Sequence, residues 1–147
     1  MLGWSIAACR LAVDESPYVV IGPEWDEEHR STFAEVHWIE QEERLGTGHA
    51  VLQARPGLKG QGELVLVLNA DLPLIRSESL KSLIQSQESN DGPFTLLTAF
   101  SAESRGFGRI ERDDGDRVKS IIEEAHASPE QLALQELNVG AYCFQAD

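Results

Sequence analysis

The sequence predicts an α/β domain, with helices packed on a mixed, mainly parallel sheet. Three observations predict it. Strand-like and helix-like segments alternate through about residue 100, the pattern of strand–helix–strand crossovers. The runs Tyr18-Val19-Val20-Ile21 and Glu63-Leu64-Val65-Leu66-Val67-Leu68 are almost continuously apolar, as strands buried on both faces are. Polar clusters arrive abruptly after Ile39 and Leu68, at the carboxyl ends of strands, where open sheets of this class place their ligands.

Each element follows from its own residues. Leu2, Ile6, Cys9 and Val13 recur near helical spacing, so 2–12 is an amphipathic helix. Gly22-Pro23 stops the strand 18–21. Residues 25–34 form a short acidic helix, and His37-Trp38-Ile39 a second strand. Thr47 is the expected N-cap of a helix reaching about Ala54 and ended by Pro56. The strongest strand signal, 63–68, is expected to be an inner parallel strand. Ser77, Leu80, Leu83 and Ile84 mark another amphipathic helix, and Asn90-Asp91-Gly92-Pro93 a turn. Residues 94–100 are a strand, and 108–110 with 117–122 form a hairpin around Asp113-Asp114-Gly115-Asp116. Pro129 opens a brief helix, and 137–144 is the last strand.

The 147 residues fit one domain, 1–147, with no room for a second. At 41% hydrophobic and 25% charged, the chain can bury a core. Twenty-five acidic against 12 basic side chains, a formal charge of −13, would repel a phosphate backbone, so no nucleic-acid partner is expected. No stretch approaches a membrane span, and no basic segment precedes an apolar run as in a signal peptide. A cytoplasmic protein with no membrane partner is the expectation. Cys9 and Cys143 lack CxxC spacing and read as buried free thiols in a reducing compartment. His29, His37, His49 and His126 lack zinc-site spacing.

Several clusters carry chemistry. Asp71, at a strand end beside Pro73, can hold a hard cation such as Mg²⁺ through oxygen, or can be a turn aspartate. Leu45-Gly46-Thr47-Gly48-His49-Ala50 offers close backbone approach and N–H donors at a helix start, or is a tight connection, with His49 a hydrogen-bonded structural residue. Gly106-Phe107-Gly108-Arg109-Ile110 leads into the hairpin. One of Glu123 and Glu124 points away from the sheet, and Asn138 can offer a sugar hydroxyl both donor and acceptor. No Ser/His/Asp or Cys/His constellation is visible, so no catalytic side chain is assigned.

Taken in order, five segments resemble the N-acetylglucosamine-1-phosphate uridylyltransferases of the sugar-1-phosphate nucleotidyltransferase family. They are Gln41 with Leu45–Ala50, Asn69-Ala70-Asp71-Leu72-Pro73-Leu74, Gly106–Ile110, Ile122-Glu123-Glu124, and Glu136-Leu137-Asn138-Val139-Gly140. The resemblance implies a three-layer α/β/α Rossmann-like fold, incomplete at both ends. It implies Gln41 on the uracil edge, Gly46 and Thr47 against the base, Mg²⁺ on Asp71, and Gly108, Glu123 and Asn138 around the N-acetylglucosamine. The implied reaction is attack of N-acetylglucosamine-1-phosphate on the α-phosphorus of UTP, releasing pyrophosphate.

The family's opening strand, its LxAGxGTRM-like loop and a following lysine have no counterpart here, and its second metal-binding aspartate would fall past Asp147. A fragment, inactive alone, is therefore expected, with an unpaired strand edge where the family's leading strand lies. Asn69-Ala70 stands where the family has tyrosine-glycine, and Ala125 where it often has lysine. The rival readings are transfer to another sugar phosphate or from another nucleotide, and a non-catalytic nucleotide-sugar binding module.

Overall fold

The computed structural model describes residues 1–146 apart from Ala34 and Arg105. Helix α1 (Leu2–Val13) is closed by Asp14, whose N–H donates to the Arg10 carbonyl from a left-handed φ of 51°. Aspartate tolerates that conformation better than most residues. Strand β1 (Tyr18–Ile21) is followed by α2 (Glu27–Ser31), capped by the Asp26 carboxylate, and by β2 (His37–Glu40). The expected helix 25–34 is thus shorter, and Ala34 lies outside the described residues.

Helix α3 (Thr47–Leu58) runs through Pro56 instead of stopping before it, and its N-cap is Gly46, not Thr47. Proline removes one backbone donor near the helix end, beside the exposed Leu52, where water can satisfy the freed carbonyl. The Tyr18 hydroxyl donates to Gly57 O at 3.0 Å and holds the last turn. Strand β3 (Leu64–Leu68), α4 (Ser77–Glu88), β4 (Phe94–Phe100), β5 (Arg109–Arg112) and β6 (Val118–Ile122) follow as the periodicity predicts. Then come α5 (Pro129–Leu132), with Pro at its start and a Ser128/Gln131 capping box, and the long β7 (Glu136–Gln145).

The strands form two sheets. β1 and β2 pair in parallel, Tyr18 opposite His37. The other five are organised by β7, antiparallel to β4 along one edge and to β3 and β5 along the other. β5 and β6 make the expected hairpin. The fold is α/β as expected, but two features differ. β3 is not an inner parallel strand: it pairs antiparallel with β7, and among the described residues its other edge has no partner. The sheet is correspondingly not mainly parallel among the described pairings, β1–β2 being its parallel pair. An apolar run reports burial of both faces, not the direction of the neighbouring strand. Burial is also less than expected: every β3 residue is half-buried, and in β1 only Ile21 is fully buried.

The core lies between one face of the larger sheet and the helices α1 and α4. Ala8, Leu80, Leu83, Ala141 and Cys143 form its centre, with Leu64, Leu66 and Leu68 packed against it. Cys143 is buried and Cys9 partly so, both free; burial pushes the Cys9 thiol up to about 11. The start of β7 is anchored by Glu136, which accepts from Arg112 Nε at 2.7 Å and Nη2 at 2.6 Å. That guanidinium holds the Glu136 carboxyl below the usual carboxylate range. No helix among the described residues is long and apolar enough to cross a membrane.

β1 and β3 do not pair. They face each other across a slot of about 800 Å³, lined by Tyr18-Val19-Val20, Leu64 to Leu68, and Ile6 and Cys9 of α1. Consecutive residues line it, so strand edges border the slot, as an unpaired inner edge requires. The Glu63 carbonyl and the Asn69 N–H are bonded to β7, so the odd-numbered residues of β3 point their backbone groups there. The groups of Leu64, Leu66 and Leu68 face the slot instead. By NMR hydrogen exchange at natural pH, the Leu66 and Leu68 amides should exchange at least tenfold faster than those of Val65 and Val67. Equal protection of all four would contradict an open edge.

Candidate functional site

The turn after β2 brings Gln41 to the mouth of the slot. Its N–H donates to Ile21 O at 2.8 Å, extending the β1–β2 ladder by one step, and its side chain is buried, 8% exposed. Gln41 Nε2 lies 2.7 Å from His49 Nδ1, and His49 Nε2 lies 3.1 Å from Gln53 Nε2, one turn further along α3. His49 is thus the hydrogen-bonded residue the sequence suggests. Gly46 adopts φ 95°, a conformation glycine takes without strain, and turns the chain into α3. Among the described residues no side chain caps that helix start, which leaves its first N–H groups available to a ligand. A Cβ at Gly46 or Gly48 would meet nothing within 4 Å, so a ligand has room against this backbone. Gln41, Arg44, Gly46 and Thr47 line the slot together with Asn69 and Ala70 at the end of β3.

Asp71 sits exposed on the turn that follows. Buried Ser5 of α1 donates its hydroxyl to Ala70 O at 3.1 Å, which fixes the backbone beside Asp71. Asn69 N donates to Gly140 O at 2.8 Å, so the end of β3 is also tied to β7. There β7 bulges: Leu96 pairs with Tyr142 but Thr98 with Asn138, and Gly140 takes φ 83°. A bulge of this kind re-aims the neighbouring side chain. Asn138 Oδ1 accepts from Gly140 N at 3.1 Å, and its Nδ2 donates to the Tyr142 hydroxyl at 2.7 Å. The Tyr142 hydroxyl also lies 3.0 Å from Oδ1, so one N–H of the amide remains for a ligand. Among the described residues no three His, Cys, Asp or Glu side chains gather to hold a metal. Asp71 by itself suits a cation shared with ligand phosphates and water, as Mg²⁺ is usually held.

Gly108 is buried where the hairpin meets β7: Asn138 N donates to Gly108 O at 2.9 Å. A Cβ placed on Gly108 would lie 3.5 Å from Asn138 Cβ and 3.6 Å from Glu123 Oε2. Gly108, Glu123 and Asn138, separated by up to 30 positions, thus meet at one point. Glu123 is exposed, while Glu124 accepts from Gly106 N at 2.8 Å and from both terminal nitrogens of buried Arg109 at 3.2 Å. The two adjacent glutamates therefore divide as expected, Glu124 clasping the glycine loop and Glu123 left outside.

The structure gathers the predicted residues into two groups joined by the end of β3. Gln41, Gly46 and Thr47 form one, Gly108, Glu123 and Asn138 the other, and Asn69 touches both the slot and Gly140. Asp71 follows Asn69 by two residues. Sequence reasoning missed Ser5, Gln53, Tyr142 and Arg109. Ser5 and Arg109 act through contacts between distant segments, Gln53 and Tyr142 through partners four positions away, and of these only the i, i+4 spacing of His49 and Gln53 on one helix was a visible signal.

A family profile described as Nucleotidyl transferase matches residues 7–147. The bifunctional protein GlmU of Geobacter sulfurreducens is 38% identical over 99% of this chain and 31% of its own length. GlmU of Synechococcus elongatus is 40% identical over 87% of this chain and 29% of its own. The chain spans under a third of these curated relatives. Among solved structures, a putative glucose-1-phosphate thymidylyltransferase from Bacillus anthracis is similar with a TM-score of 0.73, at 11% identity, over 99% of this chain and 58% of that one. A CMP:2-keto-3-deoxy-manno-octonic acid synthetase complexed with CTP gives 0.69 at 15% identity, over 99% and 63%. These two likenesses concern the fold alone.

The bulge makes a specific demand on Gly140. A Cβ there would meet Asn69 Nδ2 at 2.3 Å, and φ is left-handed. Gly140→Ala should therefore destabilise the chain by about 1–3 kcal/mol in denaturant titration. An unchanged midpoint would mean that the bulge is not formed.

Proposed function

The chain belongs to the nucleotidyl transferase family, and on that premise we propose that it is the nucleotide- and sugar-binding part of a uridylyltransferase. The reaction joins N-acetylglucosamine-1-phosphate to UTP. A phosphate oxygen of the sugar phosphate attacks the α-phosphorus, the bond to the leaving pyrophosphate breaks, and UDP-N-acetylglucosamine forms. What chiefly supports this reading is the meeting of Gly108, Glu123 and Asn138, one bulge away from the strand end that also borders Gln41, Gly46 and Thr47. The relatives named GlmU support the choice of sugar and nucleotide.

In this reading the amide of Gln41 meets the uracil edge, and the backbone of Gly46 and Thr47 lies against the base. The absence of a Cβ at Gly108 leaves room for the sugar between Glu123 and Asn138. Glu123 accepts from a sugar hydroxyl, and Asn138 offers its remaining N–H. Ser5 and Asn69 hold the turn that presents Asp71. A divalent cation, Mg²⁺ by its preference for oxygen and phosphate, would sit on Asp71 and neutralise charge on the phosphates. In a chain carrying −13, that neutralisation matters. Alignment of the two phosphates supplies the rest of the acceleration. The free thiols of Cys9 and Cys143 suit a cytoplasmic setting.

Calorimetric titration of UDP-N-acetylglucosamine and UDP-glucose tests this reading. The wild-type chain should favour the former, and Gly108→Val, which fills the space beside Asn138, should weaken both by at least tenfold while uridine monophosphate binding is retained. Binding of UDP-N-acetylglucosamine that ignores Gly108→Val would refute the sugar assignment.

A further inference from the structure

The three side chains Gln41, His49 and Gln53 form a chain whose two amide ends cannot both be donors. Amide nitrogens approach both ring nitrogens, Gln41 Nε2 at 2.7 Å and Gln53 Nε2 at 3.1 Å. A neutral imidazole has one donor and one acceptor nitrogen. Only two arrangements are self-consistent. Either Gln41 donates to Nδ1 and the Nε2–H donates to the Gln53 amide oxygen, or the Nδ1–H donates to the Gln41 oxygen and Gln53 donates to Nε2. The shorter contact belongs to Gln41, which is buried and has His49 as its hydrogen-bond partner, whereas Gln53 is only half-buried and makes the longer contact.

We propose that His49 is a positioning residue: its Nδ1 accepts from Gln41, and this fixes the orientation of the Gln41 amide and hence the type of base the cleft accepts. The inference rests on the reading that Gln41 meets the base. An amide has one edge where the oxygen and one N–H lie side by side, and a second N–H pointing away. Giving the outlying N–H to His49 leaves the oxygen and the other N–H facing the cleft in a fixed order. An imide base, uracil or thymine, offers a ring N–H beside a carbonyl. Cytosine offers a ring nitrogen beside an amino group, the reverse pattern. An amide locked one way round matches one pattern and opposes donor to donor and acceptor to acceptor with the other. An amide free to turn accepts both.

Two measurements test the proposal on the intact chain. Scalar coupling across the hydrogen bond between Gln41 ¹⁵Nε2 and His49 ¹⁵Nδ1 should be visible by NMR without any ligand. Titration with uridine and cytidine monophosphates should show a preference for uridine of roughly tenfold or more, the value of one mismatched base-edge contact. In His49→Asn, whose amide can donate or accept, that ratio should fall towards one even where both affinities drop, a change a merely structural role would not produce. Absence of the coupling, or a ratio unchanged in His49→Asn, would overturn the proposal. A wild-type chain that binds neither nucleotide would count against the proposed function instead, and the coupling alone would then decide the role of His49.

Discussion

Everything in this structure depends on β7 having hydrogen-bonded neighbours on both sides. Ten residues, Glu136–Gln145, pair with β4 along one edge and with β3 and β5 along the other. A strand with both edges filled leaves no backbone group to water, so its register is strongly fixed. That register decides which residues from distant segments become neighbours. It sets Leu68 opposite Ala141 and Asn69 beside Gly140, and it sets Arg109 opposite Leu137, which brings Gly108 to Asn138. The bulge at Gly140 falls on the β4 edge, where Leu96 pairs with Tyr142 but Thr98 with Asn138, while the β3 register continues unbroken to Asn69 and Gly140.

Helix α1 and the glutamate of the hairpin serve the same end. Ser5 holds the Ala70 carbonyl from the helix side of the sheet, and Glu124 clasps Gly106 and Arg109 beyond the hairpin. Arg109 is almost wholly buried, and its Nε lacks a partner among the described residues. A buried guanidinium is costly to leave without its partner, so losing the Glu124 contact would strand that charge, and the contact constrains the loop. Rigid support of this kind suits a loop whose backbone must keep one shape beside a ligand. On the other side of the slot the small β1–β2 sheet is tied to α3 through the Tyr18 hydroxyl on Gly57 O and through Gln41 on His49. The two halves of the candidate site therefore differ in their support: the Gly108 side is braced by β7, and the Gln41 side rests on a two-stranded sheet.

Much of this was legible in the sequence. Helices at 2–13 and 77–88, the strand 94–100 and the 109–122 hairpin follow directly from periodicity and turn chemistry, because each is decided by contacts within a few residues. The direction of β3 was not legible. Leu64 to Leu68 would look the same beside a parallel or an antiparallel neighbour, and only the distant β7 decides. Pro56 misled for a related reason, since Tyr18 holds the end of α3 from 39 positions away. The candidate residues were legible as motifs, and Gly108, Glu123 and Asn138 do meet. Their supports were not, because Ser5 and Tyr142 carry no local pattern. Glu124 shows the boundary well: the sequence says that one of two glutamates turns outward, and the Gly106 and Arg109 contacts say which.

The central claim is that one strand end joins a base-reading corner to a sugar-reading corner. The crystal structure of the chain with UDP-N-acetylglucosamine tests it most directly. The account predicts one continuous ligand, with uracil against Gln41 and Gly46, phosphates passing the turn at Asp71, and the sugar between Glu123 and Asn138 over Gly108. A ligand bound at only one corner with its other end in solvent, or seated away from β7, would contradict it.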